Sequence, residues 1–233
     1  LLKRKQNRVL PMEESISFES FFQSWELFAQ PFLAGTISGA MLGFLGVYIL
    51  IRNMVFLSAA LSQLAGFGIT LSLFFQNFIS ITIPPLLGAV SLTGSAVLII
   101  TKNIHSQKYK NIFLGVLFLF GSSGTLILGS KIIQELHDIQ SLLFGTAVAV
   151  LPSDFYAIVV VAFFMSILHI WWFRGFREIV FDRVEAKVRN IPVNILEFML
   201  LSSIVISLSF STKILGALPT FSFSILPAIA ALQ

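Results

Sequence analysis

Apolar residues occur in long blocks separated by short polar or charged breaks, and block length sets the predicted elements. The first block, roughly Leu27 to Ile51, is long enough to cross a bilayer, since about twenty apolar residues cover the hydrocarbon core as a helix. It turns at Arg52-Asn53 into a second block in which Ala59, Ser62, Gln63, Gly66 and Gly68 occupy places where lipid would favour leucine. Further blocks at about Phe78 to Thr101, Ile112 to Ser130, Phe155 to Phe173, Ile195 to Thr212 and Ile214 to Leu232 bring the expectation to about seven crossings. Leu142 to Leu151, bounded by His137-Asp138 and Pro152-Ser153-Asp154, is too short to span and reads as a re-entrant half-helix shielded by protein or water. The predicted fold is therefore an all-α, polytopic transmembrane bundle.

Patterning within the blocks assigns faces. Gly35, Gly39 and Gly43 recur every fourth residue, a row that lets another helix approach closely when lipid supplies no hydrophobic drive. The second block reads as buried against protein or water. Ahead of Pro31, Phe18, Phe22 and Trp25 share a face beside Glu19, Gln23 and Glu26, the pattern of a short interfacial helix. Residues 1–31 are thus expected to form a leader and interfacial helix, and 32–233 the transmembrane domain. Between Arg174 and Arg189, Phe176, Val180, Val184 and Val188 recur at spacings of four among charges of both signs, which predicts one amphipathic helix ending at Asn190-Ile191-Pro192. Asparagine suits the left-handed C-terminal position, and proline prevents continuation.

Composition adds the class and removes others. The chain is 56% hydrophobic and 11% charged, where soluble domains carry about a quarter charged residues. The formal charge of +4 resides in Lys3, Arg4, Lys5 and Arg8, because the charges after Met12 cancel, so nucleic acid is not an expected partner but membrane lipid is. Met12 precedes Glu13-Glu14, leaving the true start at Leu1 or Met12 open. No cysteine is present to form disulfides or thiolate metal sites. If Arg52 is cytoplasmic, so are Lys102, Lys108, Lys110, Arg174, Arg177, Arg183, Lys187 and Arg189, leaving Lys131 and Lys213 outside, as the positive-inside rule favours.

Chemistry-bearing motifs are few. There is no GxxxxGK[ST] phosphate loop, HExxH pair or GxSxG elbow, so the chain is not expected to be an enzyme. His105 lies among lysines, His137 adjoins Asp138 at the outer side, and His169 beside Trp171-Trp172 reads as an interfacial side chain with a polar tip. No two histidines have chelating spacing.

Tyr48-Ile-Leu-Ile-Arg52-Asn-Met54 followed by Ala59-Ala-Leu61-Ser62-Gln63 and Gly68 resembles the second-helix signature of the zinc/manganese ABC permeases, membrane subunits of divalent metal importers. Leu142-Leu-Phe144-Gly145 is similar to that family's external gate, and Phe181-Asp182 through Glu185-Ala186 to Ile191-Pro192-Val193 to its internal loop. Leu215-Gly216 to Ile225-Leu-Pro227-Ala228-Ile-Ala230 resembles the segment leading into the ATPase-coupling region. The likeness extends from Phe32 to Gln233 and implies a permease domain that is incomplete at its C-terminus. It also implies a bacterial inner-membrane homodimer fed by an extracytoplasmic metal-binding protein and driven by a separate cytoplasmic ATPase that hydrolyses the ATP, with no cofactor bound by this chain. Zinc is the leading cargo on this reading, with manganese or iron as alternatives.

One departure bears on the cargo. Family members usually carry an aspartate and, four residues on, a histidine in the second helix, where i,i+4 spacing places both on one face and lets them share an ion. Here Ala59 and Gln63 stand in those places, and a glutamine carbonyl is a harder, weaker donor than imidazole for zinc. Three readings stay open: passage without a fixed intramembrane site, ligands from elsewhere, or a non-metal substrate. Ala59, Ser62 and Gln63 are the translocation-path candidates, Phe144 and Gly145 the external gate candidates, and Pro227, Ala228 and Ala230 the coupling candidates. A channel or secondary transporter without an ATPase, and a non-transporting scaffold, are the rival classes.

Overall fold

The computed structural model of the chain describes residues 25–79, 82–103, 106–132 and 150–231. Among these, helices run α1 (Trp25–Ile51), α2 (Val55–Ile79), α3 (Pro85–Asn103), α4 (Gln107–Ile132), α5 (Pro152–Trp171), α6 (Phe173–Phe181), α7 (Arg183–Val188), α8 (Val193–Leu215) and α9 (Ala217–Ala231). Six of them are long and apolar enough to cross a membrane. The seventh expected crossing corresponds to α9, of which 15 apolar residues, a rise of about 22 Å, are described. Gly216, at φ 88°, ends α8 and starts this shorter helix.

Helix ends follow local chemistry. At the α1–α2 turn Asn53 adopts φ 52°, with Asn53 N–H donating to Leu50 O and Met54 N–H to Ile49 O, the two bonds of a Schellman cap. Asn190 repeats the arrangement at φ 59°, its own N–H reaching Lys187 O and that of Ile191 reaching Ala186 O. The expected third span is shifted: Phe78 and Ile79 complete α2, and α3 begins at Pro85, because proline is tolerated in the first turn and not in a helix interior. By contrast α1 continues through Pro31, which lies in its second turn and removes one backbone bond there, so residue 31 is not a helix break. Phe18 and Phe22 lie outside the described residues.

The expected single amphipathic helix is two. Asp182, extended at φ −144°, accepts from Val184 N and Glu185 N and so starts a new helix, α7, by N-capping it. The break changes the buried face: Phe176, Ile179 and Val180 of α6 pack inward, whereas Val184 and Val188 are exposed.

Helix α2 is the centre of the bundle. It is flanked most extensively by α4 and α3, then by α8 and α9, and every residue from Leu57 to Thr70 is buried. The approach is permitted by glycine: a Cβ on Gly68 would lie 2.5 Å from Gly88 O, and one on Gly121 2.8 Å from the Gln63 carbonyl carbon. The outer helices are covered by large apolar side chains such as Leu119, Phe163 and Phe164, suited to lipid.

Ion pairs mark the two ends of the bundle. At one end Arg52 Nη2 meets Glu197 Oε1 at 2.5 Å and Arg183 Nη2 meets Glu197 Oε2 at 2.7 Å, tying the α1–α2 turn, α7 and α8 together. Lys213 Nζ contacts Asp154 Oδ1 at 2.6 Å at the other. Arg52 and Arg183 therefore share a side of the membrane, and Lys213 is opposite, the partition expected from charge bias.

Candidate translocation site

The three path candidates lie within one turn of the most enclosed helix. Ala59, Ser62 and Gln63 are all buried, Gln63 at 4% exposure. Ser62 Oγ donates to Ala59 O at 3.0 Å, so its hydroxyl is engaged by its own helix. Gln63 Oε1 is buried without a hydrogen-bond partner, the kind of orphaned carbonyl that calls for a donor, a water or an ion. Ala59 supplies no donor of its own one turn away. Within this chain, Gln63 sits beside the α4 crossing at Gly121 and not on an open face.

Gly39, Gly43 and Gly46 of α1 face α9, and Gly35 faces the end of α8. A Cβ at Gly35 would be 3.9 Å from Leu215, at Gly39 3.6 Å from Phe223, and at Gly43 3.2 Å from Pro227. The tightest position is Gly46, outside the fourfold row, where a Cβ would overlap the Ser224 carbonyl oxygen. Its signal in the sequence is the added Gly43-x-x-Gly46 spacing, which keeps it on the same helical face. The matched pairs ascend together, so α1 and α9 run parallel. Pro227, Ala228 and Ala230 form the end of α9, with Ala228 fully buried. Phe144 and Gly145, most of the Leu142 to Leu151 segment, His137-Asp138 and His105 lie outside the described residues.

His169 departs from the expected interfacial role. Its ring is 3% exposed and packs against Phe44, Tyr48 and Phe176, with Nδ1 2.9 Å from Met165 O and Nε2 buried without a partner. Aromatic residues from α1 and α6 enclose it, an environment that its neighbours Trp171 and Trp172 do not disclose. Among the described residues no three His, Asp, Glu or Cys side chains gather as a metal cluster. Glu197, absent from the candidates, is the carboxylate that organises the arginine end.

Comparison with known proteins places this bundle. An uncharacterized membrane protein of Synechocystis is 26% identical over 212 residues, 90% of this chain and 73% of that protein. The manganese transport system membrane protein MntC of Bacillus subtilis is 28% identical over 207 residues, 85% of this chain and 47% of its own length. PsaBC from Streptococcus pneumoniae, solved in complex with Fab, shares the fold at a TM-score of 0.76 and 20% identity, with 93% of this chain and 77% of that one covered. The model of the ABC 3 transport family matches residues 24–233, and the chain belongs to that family as a membrane permease subunit.

Proposed function

We propose that this chain is the permease of an ABC importer for divalent metal ions, working as a homodimer in a bacterial inner membrane. A cytoplasmic ATPase supplies the energy, and an extracytoplasmic metal-binding protein delivers the ion. The observation that carries the reading is the family match over residues 24–233 on a bundle whose most enclosed helix is its small-residue, polar one.

Manganese is the cargo we favour. Relatives in Bacillus and Halalkalibacterium carry manganese transport names. The donor chemistry points the same way: where an imidazole would suit zinc, Gln63 offers a carbonyl oxygen, and oxygen donors suit manganese. A single neutral oxygen, with only Ala59 one turn away on the same face, also holds an ion weakly, which suits a pathway that must release it. In the transport cycle, closure of the ATPases would act on the region following Pro227-Ala228 and switch the path between outward and inward access.

The test is ion uptake into proteoliposomes holding the permease, its ATPase and its binding protein. ATP-dependent accumulation of manganese over zinc is expected. Downhill flux of the ion through the permease alone would establish the channel or secondary-transporter class instead, and preference for zinc would reject the cargo assignment.

A further inference from the structure

Between α3 and α8 lies a groove of about 550 Å³. Its walls are apolar along most of their length, through Val97, Leu98, Phe198 and Val205, but one end is closed by Lys102, Arg183, Asn194 and Glu197. That end is the arginine end of the bundle. Glu197 is already shared by Arg52 and Arg183, and Lys102 has no carboxylate partner among the described residues, so the mouth keeps an excess of positive charge. It also adjoins the N-terminus of α8, the end of a helix dipole that favours an anion.

The length of the groove identifies its occupant. On α3 it runs from Val90 to Lys102 and on α8 from Asn194 to Ile206, twelve residue steps on each, or about 18 Å. That is one leaflet and its headgroup boundary, about half of a core roughly 30 Å thick. A transmembrane helix of another protein would need the full thickness. Towards the groove's far end α3 and α8 are joined by Thr93 and Ser209, both buried, with Thr93 Oγ1 3.1 Å from Ser209 Oγ.

We propose that this groove binds one anionic phospholipid of the cytoplasmic leaflet, its phosphate against Lys102 and Arg183 and one acyl chain along α3 and α8. Basic pockets between membrane helices on the cytoplasmic side are suited to such headgroups. The lipid would brace the Arg52–Glu197–Arg183 cluster from outside, linking the composition of the inner leaflet to the element that joins α7 to the bundle.

Gly94 provides a clean probe. It lines the groove, and a Cβ there meets nothing within 4 Å, so Gly94→Leu fills the space without overpacking the core. The permease would be extracted from vesicles of equimolar phosphatidylglycerol and phosphatidylcholine, delipidated stepwise, and its retained lipid counted by native mass spectrometry. The wild type is expected to keep one phosphatidylglycerol per protomer with about tenfold preference. Lys102→Gln should lower that preference about fivefold, the effect of roughly 1 kcal/mol per basic residue. Gly94→Leu should abolish retention of that lipid, and Lys110→Gln, on the same side of the membrane, should leave it unchanged. Should Gly94→Leu fail to fold, Ser202→Leu fills the groove from α8 and carries the same expectation. Equal retention of both lipids, retention that survives a filled groove, or a Leu98→Cys variant that crosslinks to a second copy of the chain would each overturn the proposal.

Discussion

Helices α2 and α5 are both apolar enough to span a bilayer, yet α2 buries every residue from Leu57 to Thr70 while α5 buries Ile158, Val161 and His169. The difference lies in residue size and polarity. Helix α2 is built from Ser58, Ala59, Ala60, Ser62, Gln63, Ala65, Gly66 and Gly68, which let backbones approach, whereas α5 presents Val159, Val160, Phe163, Phe164 and Ile167 outward. Where lipid is as apolar as leucine, small residues mark the helix that protein surrounds, and bulky ones mark the helix that lipid surrounds. The one buried polar residue of α5, His169, is the exception, because aromatic rings of α1 and α6 enclose it.

The sharpest way to break this contrast is to put bulk into the α2 crossings. Gly68→Leu would drive a side chain into the backbone of Gly88 and Ala89 and should cost about 3 kcal/mol, the upper part of the overpacking range. Phe164→Ala on the exposed face of α5 should change stability by no more than about 0.5 kcal/mol. Unfolding of the purified permease in mixed micelles compares the two, and equal losses would erase the distinction between the helices.

A middle-sized effect is expected at the arginine end. Arg52 and Glu197 side chains are 18% and 15% exposed, so Arg52→Ala removes a charge-assisted hydrogen bond in a partly dry site and should cost about 2 kcal/mol. Arg189→Ala, whose pair with Glu185 is over half exposed, should cost less than about 0.5 kcal/mol. A double-mutant cycle of Arg52 with Glu197 measures the coupling directly, and a coupling near zero would show the pair to be incidental.

A smaller loss than at Gly68 or Arg52 is expected at Gly39. A Cβ there meets the Phe223 ring at an ordinary 3.6 Å, and that ring is partly exposed, so Gly39→Leu should cost about 1 kcal/mol, near the bottom of the overpacking range. The larger penalty on α1 belongs to Gly46, against the Ser224 carbonyl. If Gly39→Leu assembles and transports as the wild type does, the contact with α9 has no energetic weight.

Spans were legible because they depend on block length, and the sides of the membrane because they depend on basic residues. Boundaries were less so: α3 starts at Pro85 and not near Phe78, a stop that Pro84-Pro85 announces but an apolar run conceals. The division at Asp182 was hidden by a stripe that keeps its fourfold spacing across the break, although the aspartate is a good N-cap residue. Contacts between distant segments left no sequence signal. Glu197 meets Arg52 145 positions away, and the cage around His169 draws on Phe44, Tyr48 and Phe176 from two other helices. The burial of Gln63 could be read from its place in the second block, but its unpartnered carbonyl is a property of the packed bundle.

The central claim is that α2 carries the ion past Gln63 without a chelating pair. It is tested most directly by equilibrium zinc binding to purified wild-type permease and to the Ala59→Asp, Gln63→His double variant, with uptake followed in parallel. The wild type should show no tight intramembrane zinc site, and Gln63→Ala should lower uptake only modestly. The double variant places carboxylate and imidazole one turn apart on one face and should bind zinc at least about tenfold more tightly while transporting less, since a held ion leaves slowly. Unchanged zinc binding in the double variant, or complete loss of uptake in Gln63→Ala at a normal protein level, would contradict the account.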